Sequence, residues 1–448
     1  MKIVVIGGVA AGTSAAAKAS RTAPEADIVI LERDEDISYA GCGLPYYISD
    51  VIPSREKLIA NYPEEFEEKY GVEVRTGHEV TEIAPEQKQV KYTDLINDAC
   101  SRESYDKLII ATGASPIMPP ISGIELEKIL PLRTVSDADR IKRITGDQNI
   151  QKVTIVGAGL IGMEMAEAFA EMNREVTVVE QMDHVLPILP DELSEELEEH
   201  LIEQEVNLIM GDGVKEFRGR ESVEEVITAS GQQVETDLVL MAVGVKPNTK
   251  LAADAGLELG VRNTVKVNSR METSIEDVYA CGDCAETKNL ITGEDTWVPL
   301  GSTANKQGRT AGENAAGGDA EHRGILKTGI TKVFDYTAAA TGLKAEEAEK
   351  AGFDPISLTV NVPNHAGYYP GFDYFTLQGV FDKNTGRILG AAGIGESGVN
   401  KRIDVLAGAI YAEQTANDLY QMDLAYAPPY STPKDPVAVL GMVAEKKL

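Results

Sequence analysis

The chain has 448 residues, with 42 Lys+Arg against 72 Asp+Glu for a formal charge of −30, and only four cysteines. A surface this acidic argues against nucleic acid and against anionic membranes as partners, because phosphates are neutralised by clustered Lys and Arg. Four cysteines in such a length make no disulfide framework and point to a reducing, cytoplasmic setting, while 43% hydrophobic residues suit a globular chain of roughly two to four domains.

Met1 and Lys2 run straight into Ile3-Val4-Val5-Ile6 and then glycine, too short an apolar run for a signal peptide. Residues 2–7 read as a strand ending in glycine, residues 10–19 as a helix of small residues, and residues 27–32 as a second strand. Residues 152–157, a helix through Met172, and residues 175–180 repeat this plan, so the chain carries a duplicated strand, glycine turn, helix and strand of the dinucleotide-binding kind. The apolar stretch 153–172 is broken by Gly157, Gly159, Gly162, Glu164 and Glu167, and no membrane span is expected.

Glycines in such turns let backbone N–H groups approach a pyrophosphate at the positive end of a helix. The second turn, Gly157-Ala-Gly159-Leu-Ile-Gly162, fits GxGxxG fully; the first, Gly7-Gly8-Val9-Ala10-Ala11-Gly12, has Val9 at the middle glycine. Each has an acid at the end of its second strand, Glu32 and Glu180, placed for ribose hydroxyls. A carboxylate at Glu180 repels a 2′-phosphate, so that site should take NADH, with NADPH as the second option.

Cys42 lies in Ser38-Tyr39-Ala40-Gly41-Cys42-Gly43-Leu44-Pro45, flanked by glycines and followed by a proline suited to a first helical turn. A thiol at a helix N-terminus is expected to be stabilised as the thiolate, the nucleophilic form. Further on, apolar runs ending at Ala111-Thr112-Gly113, at Gly244 and at Gly282-Asp283 read as strands meeting a shared crevice, and Asp283 is placed to bind a chain of sugar-like hydroxyls. Proline-rich seams at 116–120 and 246–248 mark where one domain would be inserted into another. Leu189, Leu193, Leu197 and Leu201 predict an amphipathic helix over 191–205 with an acidic outer face. Cys281-Gly282-Asp283-Cys284 has no second CxxC and no histidine at ligand spacing, so both sulfurs are expected to pack rather than bind metal, and Cys100 is expected in a polar loop.

These motifs, with Asn305-Lys-Gln-Gly-Arg309, resemble the flavin-dependent pyridine nucleotide-disulfide oxidoreductases across essentially the whole chain. More narrowly the chain is similar to the single-cysteine branch of coenzyme A disulfide reductases, NADH-dependent persulfide reductases, NADH oxidases and NADH peroxidases. The dithiol branch carries a second cysteine five residues from the first, whereas here Ser38 stands four residues before Cys42. The resemblance implies an α/β fold of two Rossmann-like domains plus an α+β dimerisation domain. FAD would be bound by residues 1–117 and 246–323, NAD(H) by residues 118–245, and dimerisation would fall to residues 324–448. No rhodanese domain is expected beyond Leu448.

The same resemblance implies roles residue by residue. FAD would be held by Gly7, Gly8, Ala11, Gly12, Glu32, Arg33, Val80, Ala111, Thr112, Gly113, Arg133, Gly282, Asp283, Ala304 and Tyr426, and NADH by Gly157, Gly159, Gly162, Glu164, Glu180 and Gly244, with Glu164 near the nicotinamide. Cys42 would be the redox-active sulfur, and Tyr368 and Tyr426, reaching over from the other subunit of an obligate homodimer, would protonate a departing thiolate. Coenzyme A, as substrate or bound ligand, would meet Ser14, Lys18, Arg21, Ser38, Gly41, Lys69, Asn305 and Lys434, with Gly41 standing where such reductases often have asparagine. Oxidases and peroxidases of the branch carry a histidine in the first glycine turn where this chain has Ala10. The implied activity is NADH-driven reduction of a small disulfide or persulfide. The alternatives are an oxygen-reducing NADH oxidase and a flavin reductase serving a small redox protein.

Overall fold

The computed structural model describes all 448 residues. Ile3, Val4 and Val5 are fully buried, as are Val29 and Ile30, because a parallel strand covered on both faces must be apolar on both. These runs form a five-stranded parallel sheet in the order Val278–Ala280, Lys107–Ile110, Lys2–Ile6, Asp27–Leu31, Glu73–Arg75. A second parallel sheet follows the same logic in the order Asn207–Ile209, Glu175–Val179, Lys152–Val156, Leu238–Met241, Ile129–Pro131. In both sheets the first strand of the repeated unit is central, with its successors on opposite sides. Ligands of open α/β sheets bind at that switch point, beyond the strands' carboxyl ends.

The duplication extends to single hydrogen bonds. The Gly7 amide donates to the Leu31 carbonyl and the Gly157 amide to the Val179 carbonyl, both at 2.9 Å. The chain crosses between the two sheets twice, and the crossings pair with each other as the antiparallel ribbon Ala114–Pro116 with Val245–Pro247. Two small antiparallel sheets, His78–Ala84 with Gln89–Asp94 and Ala99–Ser104, and Val214–Gly219 with Val223–Thr228 and Gln233–Glu235, stand beside the parallel ones. Cys100 therefore lies on an exposed strand rather than in the expected loop.

The last domain is a five-stranded antiparallel sheet in the order Gly329–Val333, Tyr336–Gly342, Ile388–Gly395, Tyr374–Asp382, Pro355–Pro363, backed by the helices Val399–Tyr411 and Pro436–Glu445. The predicted acidic helix runs over Asp191–Glu203, with Leu193, Leu197 and Leu201 fully buried. No helix is long and apolar enough to cross a membrane.

Candidate active site

Gly7 and Gly157 have φ of +102° and +106°, a conformation that L side chains rarely adopt, and a Cβ there would fall on the carbonyls of Ala111 and Ala242. The turns thus bring the helices Ala10–Thr22 and Leu160–Glu171 close against their sheets. The middle position is different: a Cβ at Gly159 would meet nothing within 4 Å, so the protein's own packing also tolerates Val9 at the matching place. Neither helix has a side-chain cap, which leaves the amides of its first turn without a side-chain partner.

Both acids are anchored alike. Glu32 accepts the Gly8 amide at 2.6 Å and the Asp34 amide at 2.9 Å, and Glu180 accepts the Ala158 amide at 2.7 Å and the Met182 amide at 2.9 Å. One bond per oxygen leaves each carboxylate lone pairs for ribose hydroxyls. An uncapped helix N-terminus, open space above the middle position and a fixed acid together suit the pyrophosphate and ribose of a dinucleotide, so each crevice fits its cofactor.

The strand ends around the first crevice are tied together. The Gly282 amide donates to Gln307 Oε1 at 2.9 Å, and a Cβ at Gly282 would lie 2.6 Å from that of Ala11 and 3.7 Å from that of Ala304. Burial pushes the Asp283 carboxyl up, opposed by Arg133, whose Nη2 lies 3.3 Å from it. Arg133 also donates from Nε to the Ala114 carbonyl at 3.0 Å, and its guanidinium borders both Gly113 and Gly41. Thr112 is fixed by Asn248, whose carbonyl accepts from Thr112 Oγ1 at 2.7 Å. Arg33 points outward to Asp34, Val80 is half-buried in the first antiparallel sheet, and Gly244 follows the strand Leu238–Met241 at φ +102°.

Cys42 is exposed in the single turn Gly41–Gly43, ahead of the helix Leu44–Ile48. The expected thiolate stabilisation is not what this arrangement supplies. Crowding by protein atoms pushes the Cys42 thiol up, Glu164 and Asp283 push it further, and only Arg133 pulls it down. Glu164 is itself raised to about 7 by burial, held by a hydrogen bond from Thr331 Oγ1 at 3.3 Å and raised further by nearby Glu167. Tyr46, one helical turn past Cys42, is pushed up to about 12 by burial and by Glu164, Glu167 and Cys42. It is the i+4 neighbour of Cys42, and no motif in the sequence singles it out. Cys281 and Cys284 are buried, unpaired and raised by desolvation, which makes them poor nucleophiles.

Beside the Cys42 loop opens a cleft of ≈ 380 Å³ between the helices Ala10–Thr22 and Gly301–Ala315. Ser14, Arg21, Ser38 and Asn305 of the expected set line it, together with the unforeseen Asn61, Tyr70 and Arg309. Asn305 Nδ2 donates to Ser14 Oγ at 2.8 Å and Asn61 Nδ2 to Ser38 Oγ at 3.1 Å. Ser38 holds a left-handed φ of 49°, secured by its amide on the Gly8 carbonyl at 2.9 Å. Arg21 and Lys69 flank the Tyr70 ring, 5.6 and 5.2 Å from its centroid. Arg21, Lys69 and Arg309 have no carboxylate partner in a chain of charge −30. Lys18 differs from Arg21: its ammonium pairs with Glu313 at 3.0 Å, and it is not among the residues lining the cleft. Arg309, four residues after Asn305 on one helical face, lines the cleft where Lys18 does not.

Tyr368 and Tyr426 are 77% and 48% exposed on the C-terminal domain, with their hydroxyls 3.4 Å apart. The sequence separates them by 58 positions, and the fold brings them together. Lys434 lies exposed on the segment that follows Tyr426.

Comparison with known proteins agrees with this geometry. Residues 1–308 match the pyridine nucleotide-disulphide oxidoreductase family and residues 329–436 its dimerisation domain. The chain is 38% identical over 443 residues to the NAD(P)H sulfur oxidoreductase (CoA-dependent) of Pyrococcus abyssi, across 98% of this chain and 97% of that protein. It is 33% identical over 445 residues to the coenzyme A disulfide reductase of Staphylococcus aureus strain COL, across 99% and 100%. The solved structure of a NAD-dependent persulfide reductase from A. fulgidus superposes with a TM-score of 0.97 at 39% identity, covering 100% of this chain and 83% of that one. With two glycine turns of one plan, an exposed cysteine following the first, and both family models matched, the chain belongs to the pyridine nucleotide-disulphide oxidoreductase family.

Proposed function

We propose that the protein uses NADH to reduce a disulfide or persulfide linked to coenzyme A, with Cys42 as the sulfur that exchanges with substrate. The observation that carries this reading is the cleft beside the Cys42 loop, where Arg21 and Arg309 stand unpaired on a molecule of charge −30. Unpaired guanidinium groups at the end of a slot bordered by an aromatic ring suit the phosphates and base of a nucleotide-bearing thiol.

Held by the first glycine turn, Glu32 and Asp283, FAD would supply the two-electron relay between nicotinamide and sulfur. In the exchange itself, the Cys42 thiolate attacks the substrate's S–S bond, keeps one half as a mixed disulfide and releases the other half as a thiolate. Two electrons from NADH return Cys42 to the thiolate and release the second half, with protons taken up to give two thiols, or a thiol and sulfide from a persulfide. Glu164, raised to about 7, is about half protonated at neutral pH and near enough to Cys42 to act on its charge. In the homodimer, Tyr368 and Tyr426 of each chain would protonate the leaving thiolate at the other chain's site. Ala10 supplies no acid or base from the first glycine turn, which disfavours oxygen as the main acceptor. Glu180 favours NADH, with NADPH as the second option, and four free thiols suit the cytoplasm.

NADH consumption with coenzyme A disulfide and with coenzyme A persulfide, in wild type and Cys42→Ser, tests the reading. The variant should lose turnover by about two orders of magnitude or more while NADH still bleaches its flavin. Undiminished turnover in Cys42→Ser would sink the proposal.

A further inference from the structure

The C-terminal domain buries an ion pair that the chemistry above does not use. Arg402 is 1% exposed and Asp435 6%, with Nη2 and Oδ2 3.0 Å apart. Nη2, with two hydrogens, is shared among that carboxylate, Ser431 Oγ at 3.1 Å and the carbonyls of Asn364 and Tyr430, each at 3.3 Å, while Nε donates to Asp435 Oδ1 at 3.4 Å and Nη1 to the Gly398 carbonyl at 3.2 Å. Asp435 accepts the Ser431 hydroxyl at 2.7 Å and the Val437 amide at 3.0 Å. Replacing a buried ion pair with apolar packing is often neutral or stabilising, so this one has to be explained by geometry as well as by energy. A planar guanidinium with donors fixed in a fork suits that purpose, since its acceptors must lie in set directions.

Of the carbonyls held by Arg402, those of Asn364 and Tyr430 belong to the two segments that carry the exposed tyrosines. Asn364 stands four residues before Tyr368, and Tyr430 four residues after Tyr426. The Ala366 amide donates to the Pro428 carbonyl at 3.2 Å, joining the segments directly, and the two tyrosine hydroxyls meet at 3.4 Å at their tips. Asn364 stiffens its own side by accepting the Asp373 amide at 3.0 Å and donating to Ser397 Oγ at 2.7 Å.

We infer that Arg402 is a positioning residue: with Asp435 and Ser431 it clamps the two loops so that Tyr368 and Tyr426 are presented as one fixed pair to the sulfur reacting at the partner subunit's Cys42. This rests on the reading that the tyrosines act in the other chain's site. Arg402→Lys keeps the charge and removes the fork. In the flavin-loaded dimer, kcat with coenzyme A disulfide should fall roughly tenfold, as for a catalytic group misplaced by a fraction of an ångström, while KM and the rate of flavin bleaching by NADH stay at wild-type values. Ser431→Ala, which leaves the ion pair in place, should lower kcat about threefold with the same split.

The deciding comparison repeats both substitutions in a Tyr368→Phe/Tyr426→Phe background, where they should have no further effect on kcat. An equal fold-loss in that background, or wild-type kcat in Arg402→Lys, overturns the clamp. Wild-type kcat in the double phenylalanine variant alone instead overturns the role given to the tyrosines. Sedimentation checks that each variant is dimeric, and if Arg402→Lys does not fold, Ser431→Ala carries the same comparison.

Discussion

Burial raises the Cys42 thiol first, and of its charged neighbours Glu164 and Asp283 raise it further while Arg133 lowers it. Glu164→Gln should therefore shift the pH dependence of Cys42 alkylation in NADH-reduced protein to lower pH, and Arg133→Met should shift it to higher pH; unmoved profiles would show that these charges do not set the thiol. Glu164 also bears on stability. Its folded pKa of about 7 lies above the ordinary 4.5, so folding favours the protonated form; that contribution is full below 4.5 and is lost as pH rises through about 7. The melting temperature of Glu164→Gln relative to wild type should accordingly climb across that window, and a difference independent of pH would contradict the assignment. In the cleft, Arg309→Ala should raise KM for coenzyme A substrates about tenfold with kcat unchanged, whereas Lys18→Ala, already paired with Glu313, should change KM less than about twofold. Cys42 stood out by its sequence setting, and Arg21 and Asn305 by the family resemblance. The sequence did not separate Arg309 from Lys18, because which cation finds a carboxylate depends on how two helices cross.

That crossing is set by small residues. A Cβ at Gly308 would fall on the Ala11 backbone and one at Gly312 on that of Ala15, so the helices Ala10–Thr22 and Gly301–Ala315 touch backbone to backbone and form two walls of the cleft. Gly308→Ala should cost about 1–3 kcal/mol and weaken flavin retention, read as a lower melting temperature and a lower flavin-to-protein ratio after gel filtration. Both repeated units were legible because their apolar strands, glycine turns and acids recur in order, each local signal agreeing with the fold. The C-terminal sheet was legible only as mixed strands and helices. Its central strand Ile388–Gly395 is buried along its whole length and rich in glycine and alanine, so it shows no alternation from which pairing order or direction could be read. The ribbon Ala114–Pro116 with Val245–Pro247 pairs residues more than a hundred positions apart, beyond any local pattern.

At the scale of the whole molecule, a charge of −30 surrounds a substrate site that needs cations. Long-range repulsion is screened first, since the Debye length shrinks from about 30 Å at 0.01 M salt to about 8 Å at 0.15 M, while contacts to Arg21 and Arg309 act at hydrogen-bond range. Over that interval kcat/KM for coenzyme A substrates should rise with salt; a fall would mean that local attraction governs capture. The dimerisation domain carries Tyr368 and Tyr426 exposed, with their hydroxyls 3.4 Å apart, and the proposed function uses them at a second chain's site. Composition excluded nucleic acid but could not show that a cationic cleft would be kept free of carboxylates. The most direct test of the whole account is anaerobic: protein with Cys42 in the thiol form and its flavin oxidised meets one equivalent of coenzyme A disulfide per chain in the absence of NADH and is then analysed by peptide mass spectrometry. The account predicts one coenzyme A on Cys42, none on Cys100, Cys281 or Cys284, and one free thiol released per chain; Cys42 left unmodified would contradict it.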